Sequence, residues 1–254
     1  MRTRRVFGIA AAACLLLGAG SLQAQTASGQ MQWRGVNGTT GKYNQSGTGG
    51  YDWYVYTSPY FAGFQINPNP APAMLPPAGT TGFGPTTDIY CVDFEHYANT
   101  GTSTVWFTNL ADAQSNSSWL GTYTRNSSLQ NYLAAAYLAQ RIQADPSHSG
   151  LYNGAIWYLM SGAAAEPSYW LNGSTWTDVT STALDALNNH TGDVNAASWV
   201  VVSEYATDAT GKRVLGSHQE YITQVTPEPA TLLLLGTGLV VMLLAAGAFR
   251  RRLA

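Results

Sequence analysis

Cysteine is nearly missing from this chain of 254 residues, which holds two, Cys14 and Cys91. Cys14 lies inside an apolar N-terminal stretch with the features of a removable leader. One thiol is then left for the body, and no disulfide framework can form within a single chain. Charge is scarce as well: 12 basic and 14 acidic residues give a net charge of -2, and charged residues make up 10% of the chain. Arg2, Arg4 and Arg5 stand at one end and Arg250, Arg251 and Arg252 at the other. Between them remain only Arg34, Lys42, Arg125, Arg141, Lys212 and Arg213. No basic patch is available to neutralise phosphates, which argues against a nucleic-acid partner. The Gly-x-Ser-x-Gly elbow, the His-Glu-x-x-His helix and the phosphate loop are also lacking. The expectation is a non-catalytic protein with no cofactor and no metal.

What the ends contain is more telling. Residues 1–24 start with arginines, continue as an apolar stretch from Val6 to Ala19, and finish in small and polar residues up to Ala24. That is the three-part pattern of a secretory signal peptide. Thr3-Arg4-Arg5-Val6-Phe7 also resembles a twin-arginine export signal, the alternative being a general secretory signal with an arginine-rich start. At the other end, residues 230–249 carry no charge. They supply about the 20 residues that a helix needs to cross a hydrocarbon core of about 30 Å. Arg250, Arg251 and Arg252 follow at once, which predicts a C-terminus held in the cytoplasm and a body facing outward. Pro227 and Pro229 keep the chain extended just before the span.

Pro227-Glu228-Pro229, an apolar span and an arginine cluster, in that order, resemble a PEP-CTERM sorting signal. The resemblance covers residues 226–254. It implies recognition by an exosortase, a membrane protease-transpeptidase that cuts near the Pro-Glu-Pro and passes the body to the cell surface. It also implies a Gram-negative bacterium that makes exopolysaccharide. The inner membrane would hold the precursor before processing.

The body, residues 25–225, is long enough for one domain with a real core. Gln30 to Gly35, Tyr51 to Thr57 and Phe61 to Ile66 read as strands, rich in aromatic and β-branched residues and bounded by glycine. Asn67 to Thr87 reads as a long loop. Asp88 to Tyr97 reads as a strand paired with Ser103 to Thr108. The period then changes: Leu129, Leu133, Ala136, Tyr137 and Ala139 recur at helical spacing, with Ser127 and Gln130 as a capping box and a stop before Pro146. A second helix over Leu151 to Ser161 should form a hairpin with the first, and a third spans Thr180 to Asn189. Ser198 to Tyr205 and His218 to Val225 read as closing strands, with a turn at Gly211. The fold class expected is α+β, a β-rich sandwich or barrel with a helical hairpin insert, followed by one C-terminal transmembrane helix.

The stretch with most chemistry is Ile89-Tyr90-Cys91-Val92-Asp93-Phe94-Glu95-His96. On a strand, Cys91, Asp93 and Glu95 share one face. Later comes Asn153-Gly154-Ala155-Ile156-Trp157 on the second helix. A strand cysteine followed by an Ala-Ile-Trp helix resembles the thioester domains of bacterial surface adhesins. There the cysteine is bonded to a glutamine side chain two residues before the alanine. The resemblance implies that Cys91 takes the cysteine position and Asn153 the glutamine position. Asparagine is one methylene short, so the acyl donor is missing from its place. Two other readings of the stretch are a metal site built on Cys91, Asp93, Glu95 and His96 and a glycosidase-like carboxylate pair at Asp93 and Glu95; both are weak on spacing alone. The chain also carries 8 Trp and 15 Tyr. Their rings either fill the core or stack on sugars, with Tyr51 to Tyr60 as the candidate exposed strip.

Taken together, these features predict an exported surface or extracellular-matrix protein, sorted by an exosortase and associated with exopolysaccharide or biofilm. The alternative is an adhesive or carbohydrate-binding module with a thioester-domain-like fold.

Overall fold

The computed structural model describes residues 27–36, 40–43, 53–56, 58–66, 78–79, 82–162 and 174–225. Alternating side chains and glycine-rich breaks produce ten strands among them. These are β1 (Ala27–Val36), β2 (Thr40–Tyr43), β3 (Trp53–Tyr56), β4 (Tyr60–Ile66), β5 (Ala78–Gly79), β6 (Thr87–Cys91), β7 (Thr102–Asn109), β8 (Trp199–Thr207), β9 (Arg213–Leu215) and β10 (Tyr221–Gln224). Six of them run in the spatial order β1-β7-β8-β10-β6-β4, and β4 pairs back onto β1. All six of those pairings are antiparallel, so the sheet is a closed six-stranded barrel. The choice between sandwich and barrel falls to the barrel. β5 adds in parallel to β4, β9 pairs with β8, and β2 and β3 form a separate hairpin.

Two glycines make closure feasible. A Cβ on Gly29 would lie 2.1 Å from the Gln65 carbonyl oxygen, so only glycine lets β1 lie this close to β4. Further along, the β1–β4 register slips between Trp33 and Gly35, and Gly35 takes φ +119°. This bulge bends β1 around the barrel wall.

Among the described residues, four helices cover one side: α1 (Leu110–Ser115), α2 (Leu129–Ala144), α3 (Ser149–Ser161) and α4 (Trp176–Asn189). Ser128 caps α2 by accepting the Asn131 N–H at 3.2 Å, one residue later than the sequence suggested. Thr175 and Asp178 make a reciprocal capping box on α4. Ala134, Ala135, Ala136 and Ala139 of α2 are buried, and their small side chains let α3 pack closely as the second arm of the predicted hairpin.

Period-2 alternation splits the apolar residues into two cores. Ile89, Cys91, Val200, Val202 and Tyr221 point into the barrel with Met31, Phe64 and Phe107. Tyr90, Val92, Trp199, Val201 and Ile222 point outward against the helices. Two expectations need correction. β7 pairs with β1 and β8, not with β6, because Val105 and Phe107 are needed inside the barrel beside Ala27 and Met31. The strand predicted over Asp88 to Tyr97 stops at Cys91. Asp93 folds its side chain back to accept the Glu95 N–H at 3.1 Å, a local turn that competes with the sheet ladder.

Among the described residues, no helix is long and apolar enough to cross a membrane. The expected leader at 1–24 and sorting signal at 226–254, with its span at 230–249, lie outside the described residues.

Candidate functional site

Cys91 is the last residue of β6, and both it and Asn153 of α3 are completely buried. Ser58 joins them. Its hydroxyl oxygen accepts the Cys91 backbone N–H at 2.8 Å, and its own backbone N–H donates to Asn153 Oδ1 at 2.7 Å. The thiol donates to the Asp93 carbonyl at 3.3 Å. Trp157, one helical turn past Asn153, shares the barrel-interior cluster with Cys91, and its ring lies 5.1 Å from that of Phe94. The fold thus brings the strand cysteine and the Asn-Gly-Ala-Ile-Trp helix to one place. Nothing in this arrangement activates sulfur. Burial, reinforced by the Asp93 charge, pushes the Cys91 thiol up to about 12, against weaker opposing hydrogen bonds from Trp157 and the Asp93 backbone. A thiol held neutral is a poor nucleophile. The Asn153 amide nitrogen is buried without a hydrogen-bond partner among the described residues.

Cys91→Ser should destabilise the fold by about 1–3 kcal/mol, because a hydroxyl replaces a weakly polar thiol in a dry pocket. Urea unfolding measures the loss. A thiol reagent should label the wild-type protein only once it is unfolded; rapid labelling in native buffer contradicts the assignment.

The early end of β6 dismantles the face on which Asp93 and Glu95 were expected to sit beside Cys91. Asp93 instead enters a network that the spacing did not disclose. Arg125 Nε is 2.7 Å from Asp93 Oδ2, and His96 Nδ1 is 2.9 Å from Oδ1. Arg125 Nη2 donates to the carbonyls of Gly216 at 2.6 Å and His218 at 2.7 Å. The Arg125 backbone N–H donates to Glu220 Oε2 at 2.9 Å. Glu220 is 1% exposed and also accepts from the hydroxyls of Tyr132 and, at 2.5 Å, Ser203. Burial raises its carboxyl to about 7, with Asp93 adding to the rise and the three donors opposing it. A cavity of about 290 Å³ opens beside this network. The one signal in the sequence was rarity: Arg125 is one of six basic residues between the chain's ends.

Cys91, Asp93, Glu95 and His96 do not converge as ligands, and among the described residues no three His, Cys, Asp or Glu side chains do so. Of the candidate strip Tyr51 to Tyr60, Tyr60 is buried and packs with Trp33 at 5.1 Å, and the side chains of residues 51–57 lie outside what is described. Trp199, elsewhere in the barrel wall, is wholly buried against Tyr90. Pro227, Glu228, Pro229, Arg250, Arg251 and Arg252 lie outside the described residues. No family model, curated protein or solved structure matches the chain.

Proposed function

We propose that this is an exported, non-catalytic surface or extracellular-matrix protein, sorted through its C-terminal signal by an exosortase-type membrane protease and associated with exopolysaccharide. The observation that carries the reading is the sequence of the tail, with Pro227-Glu228-Pro229, the uncharged span 230–249 and Arg250 to Arg252 in that order, matched by the export leader at 1–24. The inner membrane holds the precursor, and processing moves the body to the cell surface or beyond.

The body reads as an inert relative of a thioester domain. Two facts support this: Asn153 and Cys91 meet through Ser58, and Asn153 lacks the methylene that the glutamine acyl donor would provide. The adhesive or carbohydrate-binding module stays as the second reading, favoured by that same juxtaposition.

Mass spectrometry of the chain from a strain that expresses an exosortase tests both parts. The wild type should lose the tail, whereas replacing Pro227-Glu228-Pro229 by three alanines should leave full-length precursor in the membrane. The body should show no deficit of one ammonia, the mark of a thioester. Retention of the tail by both chains refutes sorting; an ammonia deficit that vanishes in Cys91→Ala refutes the inert body.

A further inference from the structure

We infer that the cluster around Arg125 is a proton-operated clasp. With Glu220 neutral, Arg125 stays on Asp93 and ties three connections together at one end of the barrel. With Glu220 ionised, two buried carboxylates compete for one guanidinium and the connections part. The clasp belongs to the body alone, so it is independent of the sorting reading.

The connections are residues 92–97 after β6, 121–128 before α2 and 216–220 before β10. Arg125 belongs to the second and reaches both others. Its Nε lies 2.7 Å from Asp93 Oδ2, and its Nη2 donates to the Gly216 and His218 carbonyls at 2.6 and 2.7 Å. Its backbone N–H donates to Glu220 Oε2 at 2.9 Å. Two more bonds cross between the outer pair: the Val92 N–H to the Glu220 carbonyl and the Gln219 N–H to the Tyr97 carbonyl, each at 3.0 Å. One side chain thus fastens the end of β6 to the start of β10.

The charges around it do not balance. Glu220 is 1% exposed, and its donors are the Ser203 and Tyr132 hydroxyls and one backbone N–H, all uncharged. The guanidinium is already committed to Asp93 and two carbonyls. A buried carboxylate without its own cation, beside a second carboxylate, favours the neutral form. Protonated on Oε1, Glu220 donates to the Tyr132 oxygen and still accepts on Oε2. Ionised, it needs a cation, and Arg125 is beside it. The other titratable neighbours stay neutral or sit in pairs. Burial keeps Tyr132 of α2, Cys91 of β6 and Tyr221 of β10 uncharged. Glu204 of β8 faces His218 at 2.6 Å, and His96 faces Asp93 at 2.8 Å. Glu95 is exposed. Histidine as a class changes charge near neutrality, so His96 and His218 are the rival proton sites.

Opening exposes Glu220 and returns its carboxyl from about 7 to the ordinary 4.5. Between those values opening releases a proton. The open population therefore rises with pH, by up to about tenfold per unit, and levels off above about 7.

Amide hydrogen exchange of the full chain in detergent tests the clasp, at about pH 5 and about pH 7, with rates corrected for intrinsic exchange. The probes are the backbone N–H groups of Val92, Arg125 and Gln219, compared with Ala134 to Ala139 inside α2. Opening at the three clasp amides should rise at least roughly 10-fold between the two pH values. About 1 M urea should barely change it, because a local opening exposes little surface, whereas the α2 amides should accelerate. Glu220→Gln should abolish the rise with pH. His96→Asn and His218→Asn should keep it. Clasp amides as sensitive to urea as α2 would show that only global unfolding opens them, and this wild-type result decides without any variant. A rise absent from the wild type, retained in Glu220→Gln or lost in either histidine variant also overturns the assignment. Tail processing is unaffected by any of these outcomes, so the two readings fail separately.

Discussion

Glu220→Ala is expected to destabilise the body by about 3–5 kcal/mol, measured by urea unfolding. The substitution removes the acceptor from three inward-facing donors, the hydroxyls of Tyr132 and Ser203 and the Arg125 N–H. Each buried donor left unmet is worth about 1–3 kcal/mol. Glu220→Gln should stay within about 1 kcal/mol of wild type at neutral pH, because the amide oxygen can keep accepting from Ser203 and the Arg125 N–H while the amide nitrogen faces Tyr132, whose hydroxyl can turn to accept. The two variants also differ from wild type in pH response. Burial holds the Glu220 carboxyl at about 7 against an ordinary value of 4.5. Between those values the folded chain binds more protons than the unfolded one, so stability falls as pH rises. The contribution is fully present below pH 4.5 and gone above about 7, an interval worth roughly 3 kcal/mol. Asp88 and Asp112, also raised by burial, act with the same sign. Asp145, Asp178 and Asp208, lowered chiefly by hydrogen bonds, act oppositely and at lower pH. Stability should therefore decline from about pH 5 to pH 7 in the wild type, and Glu220→Gln should flatten the decline. An unchanged slope in the glutamine variant would refute the role assigned to this carboxyl.

Trp157→Ala should lose a similar amount, about 3–5 kcal/mol. The indole is wholly buried, packs on Phe94 and belongs to the barrel-interior cluster although it comes from a helix. It fastens α3 to the barrel, and the space left behind is too rigidly framed by strands to collapse. Because that space borders Cys91, the thiol should become reachable, and labelling in native buffer should accelerate by at least roughly tenfold at the same time. A loss below about 1 kcal/mol, or a thiol as silent as before, contradicts this view of Trp157.

Much of the fold could be read from periodicity. β1, β4, β8 and β10, the hairpin of α2 and α3, and the turn at Gly211 all lie within a few residues of their expected places. Errors arose where a side chain competes with the backbone pattern. The largely apolar stretch from Ile89 to Phe94 suggested a strand over Asp88 to Tyr97, but the turn made by Asp93 breaks it after Cys91. Pairing partners were less legible still: β7 follows β6 in sequence, yet it is drawn to β1 and β8 by the inward-facing Val105 and Phe107. The sequence paired Cys91 with Asn153 only as what a motif resemblance implies. Ser58 as their link was not implied at all, since a lone serine before a proline carries no signal of contact with either. The network of Asp93, Arg125 and Glu220 spans residues far apart in the chain, and no local pattern encodes such a contact.

The order of the strands in space also has a mechanical consequence. β10 is the last strand in sequence, yet it is not peripheral: it runs antiparallel to β8 on one side and to β6 on the other. The Val225 N–H adds a further tie to the Ser198 carbonyl at 2.8 Å. Tension applied to the chain beyond Val225 would act along the strand axis. It would load both rows of hydrogen bonds in shear, together, rather than peel them one at a time. The barrel's resistance to such a pull is a rate of rupture rather than an equilibrium quantity. Under the sorting proposed above, such threading would keep the body folded while its C-terminal segment is held, cut or transferred.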